Sequence, residues 1–192
     1  MKKIVLILAI AILPVASFSQ SIFDQFEDQD GVTSVVVNQN MFKLLSKIDV
    51  ETSDPESQEY INMIENLTSL KVLTTGDEAI SAKMKGEVDR YLKKSKLQEL
   101  MRVKDGEQTV KFYIKEGKNE DHVSELLMFI TGLKEVTKDA DMTINGQKRE
   151  FETVLLTLTG DIDLKQISKL TNQMDIPGGN QLEKAGKEKK KI

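Results

Sequence analysis

The only histidine of the sequence, His122, is the residue on which most catalytic arrangements would have to depend. A Ser-His-Asp triad and an acid–base relay need an imidazole, and a zinc site is usually built from imidazole and thiolate ligands. The chain has no cysteine, and His122 follows a polar run, Lys118-Asn119-Glu120-Asp121, of the kind that forms turns. We therefore expect a solvent-exposed histidine and predict no catalytic role for it.

Carboxylates are the next group that could do chemistry, because clustered carboxylates bind hard cations such as calcium. Four of them are close together near the N-terminal end of the predicted domain: Asp24, Glu27, Asp28 and Asp30. An EF-hand loop with its glycine at Gly31 would begin at Phe26 and close at Val37, and neither side chain can ligate a metal. The spacing therefore favours a solvated face or a helix start over a metal site.

Other motifs also favour structural roles. Asp161 and Asp163 precede a helical pattern, where a short carboxylate caps backbone N–H groups. Gly76 and Gly160 are isolated glycines, so neither forms a phosphate-binding loop, and no serine lies in a G-x-S-x-G elbow. The sequence thus predicts no catalytic residue, no cofactor-binding residue and no metal ligand, and it indicates no cofactor.

The N-terminus has the pattern of a cleavable secretory signal peptide. Lys2 and Lys3 provide the positive charge, and residues 4–13 form an apolar run that is too short to span a bilayer. Ser17 and Ser19 are small residues at the positions that a signal peptidase reads, so cleavage is expected before Gln20. We predict a signal peptide over residues 1–19, no transmembrane segment, and an exported protein that is periplasmic or extracellular.

Composition limits what the mature chain binds. Loss of Lys2 and Lys3 leaves 25 basic residues against 31 acidic ones, a net charge of −6, which argues against binding nucleic acid. The absence of cysteine excludes disulfides and lipidated cysteine, and export without disulfides favours a bacterial envelope. We predict one domain over residues 20–176 and a disordered, Lys-rich tail over 177–192. The tail either keeps the protein soluble or contacts an anionic surface weakly.

The first half of the domain alternates strands and helices. Residues 21–31 are expected to form an arm or a short helix that docks its phenylalanines, and residues 32–38 a β-branched strand. A short amphipathic helix is predicted from the spacing of Met41, Leu44, Leu45 and Ile48. A second helix starts at Asp54-Pro55-Glu56 and extends to Leu67, and residues 70–74 form the next strand.

A longer helix is predicted after Thr75, which has capping-box spacing to Glu78. Its apolar stripe consists of Ile80, Met84, Val88, Tyr91 and Leu92.

The second half is predicted to be mostly strand. A hairpin turns at Asp105-Gly106, and its second strand places Val110, Phe112 and Ile114 inward and Lys111, Tyr113 and Lys115 outward. Residues 123–131 form the next strand, and its residues 126–130 are apolar on both faces, which indicates a position near the middle of the sheet.

Beyond residue 131, we predict a polar loop over residues 134–141, a tight turn at Asn145-Gly146 and a last strand over 151–159. Residues 160–163 break this strand before a final helix with Leu164, Ile167, Leu170 and Met174. The element order predicts an α+β two-layer sandwich, a largely antiparallel sheet with helices on one face.

Two stretches of the chain resemble a known family. They are the hairpin of residues 103–115 and the strand-Gly-helix junction of residues 154–170, VLLTLTGDIDLKQISKL. Together they resemble domain-of-unknown-function family 4252, an uncharacterised bacterial family of small exported proteins with a signal peptide or a lipoprotein leader. The resemblance covers most of the mature chain and implies export but no activity. The chain departs from the lipoprotein members because it has no cysteine.

Three functions remain open at this point. We expect a non-enzymatic module that binds an unknown protein or small ligand at the cell envelope. One alternative is a carboxylate-based hydrolase, for which two carboxylates would have to face each other in a concave pocket with divergent pKa values. The other is an accessory protein of envelope stress or signalling.

Overall fold

The computed structural model describes residues 23–47, 55–119, 121–138, 143–144, 147–148 and 150–164. Its strands are β1 (Val32–Asn38), β2 (Leu67–Thr75), β3 (Gln98–Asp105), β4 (Gln108–Glu116), β5 (His122–Thr131), β6 (Thr143–Ile144), β7 (Gln147–Lys148) and β8 (Thr153–Asp163). Its helices are a 3-10 helix (Asp24–Phe26), α1 (Gln39–Ser46), α2 (Pro55–Glu65), α3 (Glu78–Lys94) and α4 (Lys134–Lys138).

The architecture is an α+β sandwich built on a six-stranded sheet, as the sequence predicts. The strand order is β1-β2-β8-β5-β4-β3, and every neighbouring pair is antiparallel. The doubly apolar strand β5 lies inside the sheet, as predicted, and β1 and β3 are its two edges. The short strands β6 and β7 pair on either side of the predicted turn at residues 145–146.

The longest described helix, α3, covers one face of the sheet. Its predicted stripe is confirmed, since Ile80, Met84 and Val88 are buried there and two further members pack against them. The phenylalanines of the N-terminal arm complete this first core, which contains Phe23, Phe26, Leu73, Ile80, Met84, Val88, Tyr113, Leu127, Phe129 and Leu155. The predicted docking of the arm is therefore confirmed.

The cap of α3 differs from the prediction. Asp77, not Thr75, is the N-cap, and its carboxylate accepts hydrogen bonds from the backbone N–H groups of Ala79 and Ile80 at 2.8 and 2.9 Å. Thr75 is still part of β2, where its hydroxyl donates to the carbonyl of Gly31. The strand is longer than predicted, so the capping position moves two residues along the chain.

The opposite face of the sheet also buries apolar side chains. This second core contains Phe42, Leu67, Val110, Phe112, Ile114, Val123, Leu126, Leu158 and Ile162. Among the described helices, α1 contributes Phe42 and α2 contributes Ile64 to it, so the described helices pack against both faces of the sheet, where the prediction had them on one. Tyr113 lies on the other face of β4, in the first core and only 7% exposed, so its predicted outward orientation is wrong.

Strand β8 continues through the residues that were predicted to break it. It extends to Asp163 because Ile162 and Asp163 pair with Val123 and His122 of β5. Gly160 permits this continuation with a φ of +140°, where a Cβ would lie 2.5 Å from the carbonyl oxygen of Asn66. The same close approach explains why β2 already begins at Leu67, which was predicted to be helical.

The remaining predictions concern the loop after β5, the two ends of the chain and the final helix. The predicted polar loop of residues 134–141 contains the short helix α4 over Lys134–Lys138. The predicted signal peptide, the Lys-rich tail and the final helix beyond Leu164 lie outside the described residues. No helix among the described residues combines the length and the apolar character needed to cross a membrane.

Candidate functional site

Exposed large hydrophobic side chains are concentrated in one short stretch of the described chain. They are Val35, Val36, Met41, Leu44 and Leu45, and between 38% and 58% of each residue is accessible to solvent. The valines belong to the edge strand β1 and the other three to the helix α1 that follows it. We call these five side chains the β1–α1 surface.

Helix α1 turns the described part of its predicted apolar stripe, Met41, Leu44 and Leu45, away from the core; Ile48 lies outside the described residues. Asn38 caps the helix by accepting a hydrogen bond from the Met41 backbone N–H at 3.1 Å. Phe42 is only 6% exposed and occupies the second core. Met41, Leu44 and Leu45 are spaced three and four residues apart, so they share another side of the helix, which faces solvent. The helix is confirmed, but its buried anchor is the one apolar residue outside the predicted stripe.

The two edges of the sheet differ in their protection against further strand pairing. The edge strand β3 carries four charged side chains, Glu99, Arg102, Lys104 and Asp105, which oppose the addition of another strand. Strand β1, VTSVVVN, has no charged residue and three consecutive valines. In the described part of the chain, β1 pairs only with β2. Its other side is therefore suited to accept a strand.

Charges flank the β1–α1 surface at both ends. Asp28 and Asp30 are exposed just before β1, while Lys43 and Lys47 are exposed in α1 and at its C-cap. Acidic side chains therefore precede the apolar ones along the chain and basic side chains lie among and after them, so charged residues accompany the apolar ones as they do in the polar rim of protein interfaces.

His122 lies in a pair rather than free in solvent. It begins β5, its side chain is 21% exposed, and its Nδ1 lies 2.5 Å from Oδ1 of Asp161. Lys118 contacts the other carboxylate oxygen of Asp161. The hydrogen bond from Lys118 and the one from His122 lower the pKa of Asp161 despite its partial desolvation. Asp161 is thus a partner of β5 and not the helix cap that the sequence predicts.

The His122–Asp161 pair is half of an acid–base relay, and the described residues do not complete it with a nucleophile. Ser124, the serine nearest to His122 in sequence, donates its hydroxyl to the backbone carbonyl of Glu116 at 3.0 Å. Asp163, the other predicted cap, is the last residue of β8 and pairs in register with His122. The pair therefore ties the β4–β5 turn to the end of β8.

The N-terminal carboxylates are divided between two environments. Asp24 and Glu27 both contact the ammonium group of Lys71, whose residue is only 7% exposed. Burial lowers the pKa of Lys71, but the hydrogen bonds and charges of the two carboxylates outweigh it and raise the pKa above its usual value. Asp28 and Asp30 are solvated, as predicted. The sequence pattern gives no sign of the buried lysine.

A second buried polar contact lies beside α3. The hydroxyl of Tyr91 donates to Glu125 at 2.6 Å, and Glu125 is 8% exposed. Burial and this hydrogen bond raise the pKa of Tyr91 well above its usual value. The contact pins α3 to β5 and satisfies a carboxylate that the sheet would otherwise bury alone.

An open groove of about 340 Å³ near α4 gathers carboxylates. It is lined by Glu78, Glu107, Gly132, Lys134, Glu135 and Glu152. Glu78 accepts a hydrogen bond from Lys134 at 2.7 Å, and Glu152 accepts one from the backbone N–H of Gly132 at 3.2 Å. These contacts give two of the carboxylates a structural role. No group of three or more His, Asp or Glu side chains in the described ranges is arranged to hold a metal ion.

Comparison with known proteins places this fold in a family. The model of the family described as "Domain of unknown function (DUF4252)" matches residues 26–170. The chain belongs to this family. The matched range of the DUF4252 chain contains all the strands that the structure describes and helices α1 to α4, including the whole β1–α1 surface. Searches of curated proteins and of solved structures gave no match.

Proposed function

We propose that this DUF4252 chain is an exported, non-enzymatic binding module of the bacterial cell envelope that engages a protein partner through the β1–α1 surface. The observation that carries the proposal is the concentration of five exposed large hydrophobic side chains on one edge strand and its adjoining helix. Exposed apolar side chains that are concentrated on adjoining elements and accompanied by charged residues are typical of interaction sites. Isolated ones would carry no such meaning.

The partner binds by adding an extended segment to the sheet. Backbone N–H and C=O groups along the free side of β1 pair with the segment, and Val35 and Val36 contact its side chains on the two faces. Met41, Leu44 and Leu45 extend the contact onto α1. In this arrangement main-chain hydrogen bonds supply affinity and the apolar side chains exclude water.

Export to the envelope is supported by the N-terminal sequence. Lys2 and Lys3, the apolar run of residues 4–13 and the small residues Ser17 and Ser19 form the three parts of a signal peptide. The absence of cysteine fits a bacterial envelope protein that is not anchored by a lipid. The mature chain begins at Gln20 in this proposal.

A capture experiment tests the proposal. The mature chain is immobilised and exposed to envelope extract of the native host, with Val35→Lys and Leu44→Lys as test variants. Gln98→Lys adds the same charge to the exposed first residue of the opposite edge strand and is the matched control. We expect the wild type and the control to retain the same protein and both test variants to lose it. Equal retention by all four chains would contradict the proposal.

A further inference from the structure

We infer that the extended segment seated on β1 is the β1 strand of a second copy of this chain. Two β1 strands pair antiparallel across a two-fold axis and join the two sheets into one. The inference rests on the proposed function, because it uses the same surface and names its occupant.

The first argument is that β1 is complementary to itself. When two copies pair with Val35 opposite Val35, Ser34 faces Val36 of the other copy and Thr33 faces its Val37. All of these residues are uncharged and most are β-branched, so no like charges meet and the side chains suit cross-strand packing. Val35 and Val36, the exposed valines, lie at the centre of the pairing.

The second argument is the polarity of the flanking charges. Antiparallel pairing places the residues before β1 of one copy beside the residues after β1 of the other. Asp28 and Asp30 then approach Lys43 and Lys47 of the second copy, and the two-fold axis repeats this contact at the other end. A strand with the same sign of charge at both ends would repel itself in this arrangement.

Pairing through β1 also leaves no uncharged edge at which a further copy could add. Joining the two uncharged edges leaves only the β3 strands at the outer edges of the combined sheet. Each of these carries Glu99, Arg102, Lys104 and Asp105, which oppose further addition of strands. The pairing is therefore isologous and stops at two copies instead of continuing as a fibre.

Cysteine cross-linking tests the pairing and its register, because the chain has no native cysteine. In the full mature chain, Val35→Cys places two thiols directly opposite each other across the axis. Thr33→Cys, on the same face of the same strand, is the matched control. Its thiols in the two copies would be offset by about four residues along the strands, or about 13 Å. That separation exceeds the reach of a disulfide.

Under mild oxidation we expect Val35→Cys to form a covalent dimer as its main product and Thr33→Cys to stay monomeric. Absence of a Val35→Cys dimer, or a dimer that forms equally well with Thr33→Cys, overturns the inference. Sedimentation of the cysteine-free chain gives the second measurement. We expect the wild type to sediment as a dimer and Val35→Lys, which brings two ammonium groups together, as a monomer with unchanged circular dichroism.

The two proposals fail in different ways. If the wild type sediments as a monomer and Val35→Cys does not cross-link, the homotypic pairing is wrong. Capture from an extract of a host strain that lacks this gene then decides the proposed function. Capture that is still lost with Leu44→Lys supports a different protein partner, whereas capture that is independent of the surface contradicts the proposed function as well.

Discussion

Gly160 and Gly86 show how the meaning of a glycine depends on its surroundings. Gly160 lies within β8 at a φ of +140°, and a Cβ there would lie 2.7 Å from Cα of Leu67. Gly86 lies in α3, and apart from its own helix backbone no heavy atom lies within 4 Å of a Cβ position. Only the first glycine is required by the packing of the chain, because L residues avoid its backbone conformation and no space exists for a side chain.

Replacing each glycine by alanine should therefore have opposite effects. We expect Gly160→Ala to lower the free energy of unfolding by more than about 1 kcal/mol, because it combines backbone strain with a steric clash. Gly86→Ala should raise it by about 0.5–1 kcal/mol through helix propensity. Urea unfolding of the three chains checks both values, and a neutral Gly160→Ala would show that β8 does not pass this close to residues 66 and 67.

Lys71 is a second residue for which the surroundings determine the cost of a substitution. Lys71→Met removes the positive charge between Asp24 and Glu27 but keeps an unbranched side chain that is only one atom shorter. Both carboxylates keep some access to solvent, so the expected cost is about 1–3 kcal/mol, below that of breaking a fully buried pair. Arg102→Met, which breaks the solvent-exposed pair between Arg102 and Glu99, is the control and should cost clearly less than Lys71→Met. If both variants lost the same free energy of unfolding in denaturant, the ion pairs of Lys71 would contribute no more than an exposed pair, which would contradict this prediction.

Among single elements, α1 has one buried residue in the described part of the chain, Phe42. Phe42 occupies the second core, whereas Leu44 is 58% exposed. We expect Phe42→Ala to lower the free energy of unfolding by about 3–5 kcal/mol and Leu44→Ala to change it by less than about 0.5 kcal/mol. Thermal unfolding of the two variants measures this contrast. A large loss with Leu44→Ala would mean that the leucine stripe, and not Phe42, faces the core.

Element types could be predicted where one pattern dominates. Residues 32–38, the hairpin at Asp105-Gly106 and the stripe of α3 have periods that fit one structure, and all three are confirmed. Tyr113 could not be placed because alternation along a strand marks one apolar face, while β4 is buried on both. The end of β8 could not be placed either. The glycine and aspartates of residues 160–163 are locally typical of a turn, whereas the strand continues there through long-range pairing with His122 and Val123.

The candidate site was less predictable than the fold. The spacing of Met41, Leu44 and Leu45 identifies an apolar helix stripe, but the same pattern describes a stripe that packs inward and one that faces a partner. Which of the two occurs depends on the direction that the chain takes after β1, and this direction is set by tertiary structure. The difference in charge between β1 and β3 can be read from the sequence. It indicates which strand is open to further pairing only once both are known to be edges of the sheet.

For the whole molecule, buried donors make stability sensitive to alkaline pH. The pKa values of Lys71 and Tyr91 are raised above their unfolded values of 10.5 and 10.0. Because both groups hold their protons more tightly when folded, their contribution is complete below about pH 10 and is lost as pH rises further. We expect the free energy of unfolding to fall above about pH 10, and Tyr91→Phe to reduce the steepness of this fall. An unchanged slope in urea titrations at several pH values would exclude Tyr91 as a source.

We propose that this protein meets its partner at the β1–α1 surface. Site-specific photo-crosslinking in the native host tests it most directly, with the photoreactive residue at position 44 and, as control, at position 104 on the opposite edge strand. We expect covalent adducts from position 44 and none above background from position 104. Adducts of equal yield at both positions, or from position 104 alone, would contradict it.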